Sequence, residues 1–190
     1  DFTAWFNPSA GQEHARLSTL PTTDVSLMYC RGTTLGNPAA CLVAKQVNYD
    51  ITRAADGALS CKVSAVANAY GLEWSELLTA GIRTDTAATN GSSIDGTAAT
   101  SFGWQAYLQS FSLTGTSCTV TIQDSADNSS WANVTDGVFT AFSAAGAQRI
   151  ASSSSTATLR RYVRAITAGT FTLTMSANGT SASGPFVITA

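Results

Sequence analysis

Charge is scarce in this chain. Lys, Arg, Asp and Glu make up 12% of its 190 residues, about half the share of an average soluble domain. A nucleic-acid binder needs a basic face to neutralise phosphates, whereas this chain has a formal net charge of −2 and a pI near 5.2. There is a single histidine, His14. A Ser-His-acid arrangement would have to be built on that terminal residue, and no Gly-x-Ser-x-Gly turn is present to carry its nucleophile. No apolar run approaches the roughly 18 residues of a membrane-crossing helix. The four cysteines, Cys30, Cys41, Cys61 and Cys118, lack C-x-x-C spacing and have only His14 for company, a poor set for zinc. The first residues, Asp1 to Phe6, lack the basic start and apolar run of a signal peptide.

What the chain has instead is apolar residues and hydroxyls in alternation. Hydrophobic residues make up 44% of it, enough to fill a core, and Ser and Thr add about a quarter. From Thr170 to Ser176 every second side chain is apolar and the others are hydroxyls. A strand sends successive side chains to opposite faces, so Phe171, Leu173 and Met175 should enter a core and the hydroxyls should face out. A surface so poor in charge is expected to be covered in an assembly or to lie outside the cell.

The pattern along the chain predicts an all-β, antiparallel sandwich or jelly roll with one or two short helices. Residues 1–24 read as an extended N-terminal arm and 25–190 as one domain. In the arm, a turn at 7–11 leads into a short helix from Gln12 to Leu20, stopped by Pro21. Trp5, Phe6 and Leu17 are too few to form a core there and are expected to dock on the rest of the domain or on a neighbouring subunit. Strands are expected at 25–31, 42–49 and 58–70, the last two around an Asp56-Gly57 hairpin signal. Leu72 to Leu78 reads as a short helix with Trp74, Leu77 and Leu78 on one side, and 84–100 as a loop. Further strands are expected at 104–113, 118–124, 137–142, 147–151, 159–166, 171–177 and 186–189.

Each candidate site has a plain alternative. Glu73 and Glu76 are three apart on the expected helix, a spacing that a solvated helix face also gives. Asp124, Asp127 and Asn128 are candidate calcium ligands in a loop whose residue types equally suit a metal-free turn. Trp131 after it is expected to close the core. Cys118 and Cys61 read as small buried hydrophobes, and Cys30 and Cys41 as free thiols or a disulfide across the Gly32 to Pro38 turn. Arg160, Arg161 and Arg164 form the one basic cluster. Period two would put Arg160, Tyr162 and Arg164 on one face and Arg161 on the other with Val163, as solvated or inter-subunit arginines or as a phosphate or glycan contact. Four Asn-x-Ser/Thr sequons, at Asn90, Asn128, Asn133 and Asn178, are a weak glycosylation signal, since chance gives about two in a chain this rich in hydroxyls.

Three blocks of sequence carry a resemblance. They are Tyr29-Cys30-Arg31-Gly32-Thr33-Thr34-Leu35-Gly36-Asn37-Pro38-Ala39-Ala40, then Lys45 to Asp50 with Asp56 to Leu59, and Gly71-Leu72-Glu73-Trp74 through Gly81. They resemble the major tail proteins, or tail-tube subunits, of long-tailed bacteriophages, particularly those infecting actinobacteria. The stretch from Gln123 to Trp131, with Arg161 to Arg164, is similar to β-sandwich portions of phage virion proteins. The resemblance implies a non-enzymatic virion subunit without cofactor or membrane contact, assembled in the host bacterial cytoplasm into the phage tail. Its partners would be copies of itself in stacked rings, usually of six, and other tail proteins, with double-stranded DNA passing through without specific binding. It also implies that Trp5, Phe6, Leu17, Asp56, Arg160 and Arg164 lie at subunit contacts, and that the tips near 50–57 and 84–100 touch the next ring. A capsid decoration protein is the alternative within that class. A carbohydrate-binding module, with Trp104, Trp131 or Tyr162 laid bare, is the alternative outside it.

Overall fold

A computed structural model describes residues 1–9, 13–20, 22–180 and 186–189. The fold is all-β and sandwich-like, with 62% of residues in strands and 2% in helix, as the alternation requires. In chain order the elements are β1 (Phe2–Trp5), α1 (Glu13–Leu17), β2 (Val25–Cys30), β3 (Pro38–Arg53), β4 (Leu59–Ala67), β5 (Glu73–Asp85), β6 (Thr89–Asn90), β7 (Ile94–Asp95), β8 (Trp104–Ser125), β9 (Trp131–Val138), β10 (Gly146–Ala151), β11 (Tyr162–Thr180) and β12 (Phe186–Thr189). Two compact units divide them: Asp1–Leu27 with Leu42–Leu72, and Met28–Cys41 with Glu73–Ala190.

The first unit is organised by a hairpin. Residues 44–53 of β3 run antiparallel to β4, from Ala44 opposite Ala67 to Arg53 opposite Leu59, with a bulge between Gln46 and Asn48. Its tip turns on Gly57 at φ 89°, which the expected Asp-Gly signal supplies. Asp56 Oδ1 accepts from the Ala58 amide at 3.0 Å, so the turn is closed by its own side chain. β1 then pairs with β4, Phe2 opposite Val63 and Trp5 opposite Ser60. The leading residues therefore belong with 42–72 rather than forming a separate segment that ends at 24, because this register supplies backbone partners that water would otherwise provide. Helix α1 is shorter than expected, and Gln12 and Pro21, where it was expected to begin and stop, lie outside the described residues, as does Gly11 of the expected turn.

The second unit holds the main core. β8 and β11 pair antiparallel over almost their whole lengths, from Tyr162 opposite Ser125 to Ala177 opposite Leu108. β11 also pairs with β5, and β8 with β10 and β9. Within the β8–β11 ladder the register shifts between Thr170 and Phe171. There Gly115 and Gly169 have φ 118° and 129°, and a Cβ on either would lie about 2.5 Å from a facing carbonyl oxygen. Only glycine lets both strands pass through that bulge unbroken, so the two pairs of short strands expected there are two long ones.

Phe171, Leu173 and Met175 point inward, with Leu173 and Met175 fully buried. They pack with Trp104, Leu108, Val120, Ile122, Phe139 and Val163 in one cluster. The expected helix at 72–78 is absent: Glu73 to Glu76 is strand, opposite Cys41 to Pro38. Trp74 is 62% exposed while Ser75, Leu77 and Leu78 are buried. Backbone pairing with a neighbouring strand has overridden a helical spacing that fitted only three apolar residues. The expected loop at 84–100 is likewise partly strand, since β6 and β7 pair with β11.

Candidate functional surfaces

The outward face of β5, β11 and β8 is a patch of hydroxyls. Thr174 opposes both Thr84 and Ser112, and Thr172 opposes Thr114; directly opposed residues share a face. Thr84, Thr172, Ser112 and Thr114 are exposed, and Thr84 Oγ1 lies 3.2 Å from Thr174 Oγ1. None of these five side chains carries a charge.

Large apolar side chains are exposed in each unit. In the second unit Tyr29, Trp74, Ile82 and Phe111 are at least 50% exposed. Ile82 and Phe111 line a groove of about 240 Å³ with Met28 and Cys30. In the first unit Trp5 is 73% exposed although its backbone is paired, and Val66 is 57% exposed. Of the other residues expected at contacts there, Phe6 and Leu17 are half-buried and Asp56 is exposed. Phe6 packs edge-on to His14, and His14 Nδ1 lies 2.9 Å from the Tyr49 hydroxyl, so the sole histidine clasps the segment onto β3.

The charged groups of the second unit are mostly consumed inside it. Glu73 accepts from Arg149 Nε at 2.9 Å and Nη2 at 2.8 Å and from the Tyr107 hydroxyl, and Arg149 also reaches Gln105 Oε1 at 2.7 Å. Burial, with the Glu73 charge, pushes the Tyr107 hydroxyl well above its ordinary pKa. On a strand, Glu76 three residues on cannot share that face, so the expected carboxylate pair does not form. Glu76 is half-buried, and burial alone raises its pKa.

Arg160 sits ahead of β11 and is locked onto Asp124, with Nε and Nη2 at 2.8 and 2.6 Å from Oδ1 and its amide 2.8 Å from Oδ2. Arg161 is bidentate to Asp95, both contacts 2.7 Å, and lies over the Tyr162 ring at 4.9 Å. It does not share the face of Val163, which is fully buried, because β11 begins only at Tyr162. Arg164 is different: it lies 4.2 Å over Trp131 and gives Nε and Nη2 to Gln123 Oε1. Trp131 is therefore half-buried beneath a guanidinium rather than in the core, while Trp104 is 3% exposed inside it. Sequence reasoning missed the hydrogen-bond partners of all four arginines, which lie between 36 and 76 residues away in the chain.

The expected calcium ligands are each engaged by a protein donor. Asp124 holds Arg160; Asp127 Oδ1 accepts from the amides of Ser129 at 2.9 Å and Ser130 at 2.7 Å; Asn128 Oδ1 accepts from Ser93 at 2.7 Å. Those donors hold the Asp127 carboxyl well below the usual range. Asn128, at φ 58°, takes the left-handed position that Asn tolerates in a turn. Among the described residues no three His, Cys, Asp or Glu side chains gather into a metal-binding group. None of the four cysteines is in a disulfide; Cys41, Cys61 and Cys118 are fully buried, and burial pushes the Cys118 thiol up to about 11.

Comparison with protein-family models, curated proteins and solved structures finds no match.

Proposed function

We propose that this chain is a non-enzymatic structural subunit that assembles with copies of itself, and that the assembly is the tail tube of a long-tailed bacteriophage. The observation that carries the self-assembly is the set of large apolar side chains left on the outside of strands, above all Ile82 and Phe111, which line one groove, and with them Trp74. Clustered exposed apolar surface marks sites of association, and so few charges would leave such a chain poorly dispersed on its own. The tube assignment rests on the three blocks that resemble tail-tube subunits. It is supported by the hydroxyl patch of Thr84, Thr172, Thr174, Ser112 and Thr114, which offers DNA nothing cationic to grip.

β1 pairs with β4 in its own chain, but the Trp5 side chain remains outside and serves as a contact in this reading. The sugar-binding alternative fares worse. It needs bare aromatic faces, and Trp131 and Tyr162 each carry an arginine over the ring. Sedimentation velocity across a hundredfold range of concentration tests the proposal: species growing well beyond 19.6 kDa are expected, and an unchanged monomer throughout would reject it.

A further inference from the structure

Arg83, Arg149, Arg160 and Arg161 each hold a carboxylate of their own chain. Arg164, on β11, holds none among the described residues. Its only polar contacts are to the neutral Gln123 amide, and burial makes its positive charge harder to keep. Trp131 beneath and Gln123 alongside fix the guanidinium plane, so little side-chain freedom remains to be lost when an anion meets it. Arg31 also lacks a carboxylate among the described residues, but it is exposed and has no comparable support.

Glu76, on β5, is the opposite case. It shares a face with Trp74, two residues earlier, is half-buried, and has no hydrogen-bond donor among the described residues. The unit's other carboxylates without an ion pair, Asp127 and Asp136, accept from serines of their own chain. A partly desolvated charge with no counter-charge costs free energy. Here two such charges have opposite signs and cannot meet within one chain. β5 and β11 are antiparallel, with Asp85 opposite Leu173 and Leu77 opposite Asn178. Arg164 and Glu76 therefore lie roughly 50 Å apart along the strand direction, at opposite ends of the paired strands.

Resting on the self-assembly reading, we propose that Arg164 of one copy meets Glu76 of a second copy, with that copy's Trp74 beside the Trp131–Arg164 stack. Complementary groups at opposite ends of one unit make a head-to-tail contact, which repeats from copy to copy instead of closing as a symmetric pair.

Charge exchange tests this. Arg164→Glu and Glu76→Arg each set like charges against each other, and each should raise the concentration at which assembly begins by about tenfold or more. A one-to-one mixture of the two variants makes every contact complementary again, as does the double variant, and both should recover to within about threefold of the unaltered chain. Thermal melting by circular dichroism checks that each variant folds. Where one does not, Arg164→Gln and Glu76→Gln should give a smaller loss in the same direction. Assembly of Arg164→Glu at the unaltered concentration, or two folded variants that fail alone and also fail mixed, overturns this pairing and leaves the self-assembly reading standing. An unaltered chain that stays monomeric overturns both.

Discussion

Replacing Trp74 by serine separates a residue of the fold from a residue of an assembly. Trp74 leaves 62% of its surface exposed on a strand whose neighbours Ser75 and Leu77 are buried. A tryptophan offers at most about 250 Å² to burial, so roughly 100–150 Å² would be covered when a second copy packs on it. At about 25 cal/mol per Å² that is roughly 3 kcal/mol per contact, or about a hundredfold in the association constant. Within the single chain, by contrast, a substitution at so exposed a position should cost about 0.5 kcal/mol or less. Sedimentation should show the onset of assembly moving to far higher concentration while the melting curve stays within a degree or two. A variant that assembles like the parent would refute the argument, and so would one that melts much earlier, because Trp74 would then belong to the chain's own core.

The network of Glu73, Arg149 and Tyr107 predicts the reverse pattern. Both side chains of the ion pair are 12% exposed, so Glu73→Ala leaves a buried guanidinium without its carboxylate and should cost about 3–5 kcal/mol. The melting temperature should then fall by roughly 10 °C; a fall within experimental error would show the network to be solvated. For Asp127 the sign follows from its lowered pKa: charge-dependent stability is present above the ordinary carboxylate value, near 4, and is lost as the pH falls towards the folded value. The melting gap between the parent and Asp127→Ala should therefore narrow below about pH 4, and a gap independent of pH would contradict it. Thiol titration should find Cys30 reacting first and Cys118 only on unfolding, whereas rapid reaction of all four would place the buried thiols at the surface.

Much of the fold is legible in residues that act locally. Strict alternation announces Phe171, Leu173 and Met175 as a core stripe, and Asp56-Gly57 announces its turn, because each signal depends on a few adjacent dihedrals. The stretch around Trp74 is misread because three apolar residues fit a helical turn as well as a strand, and only pairing with Pro38 to Cys41 decides between them. The long course of β8 and β11 hinges on Gly115 and Gly169 flanking one register shift from opposite strands, which no single segment reveals. Trp131, placed just after a turn, reads as a core residue in sequence; a guanidinium arriving from another strand covers it instead. The surfaces were harder still. Thr84, Thr174 and Ser112 become one face only through the register of three strands. Arg164 stands apart from Arg160 and Arg161 only once the carboxylates of Asp124 and Asp95 are seen to be taken.

Electron microscopy of the concentrated protein puts the account to its most direct test. Rings or tubes with an open central channel are expected. A field of isolated particles of single-chain size at every concentration would contradict the claim that this chain is built to meet its own copies.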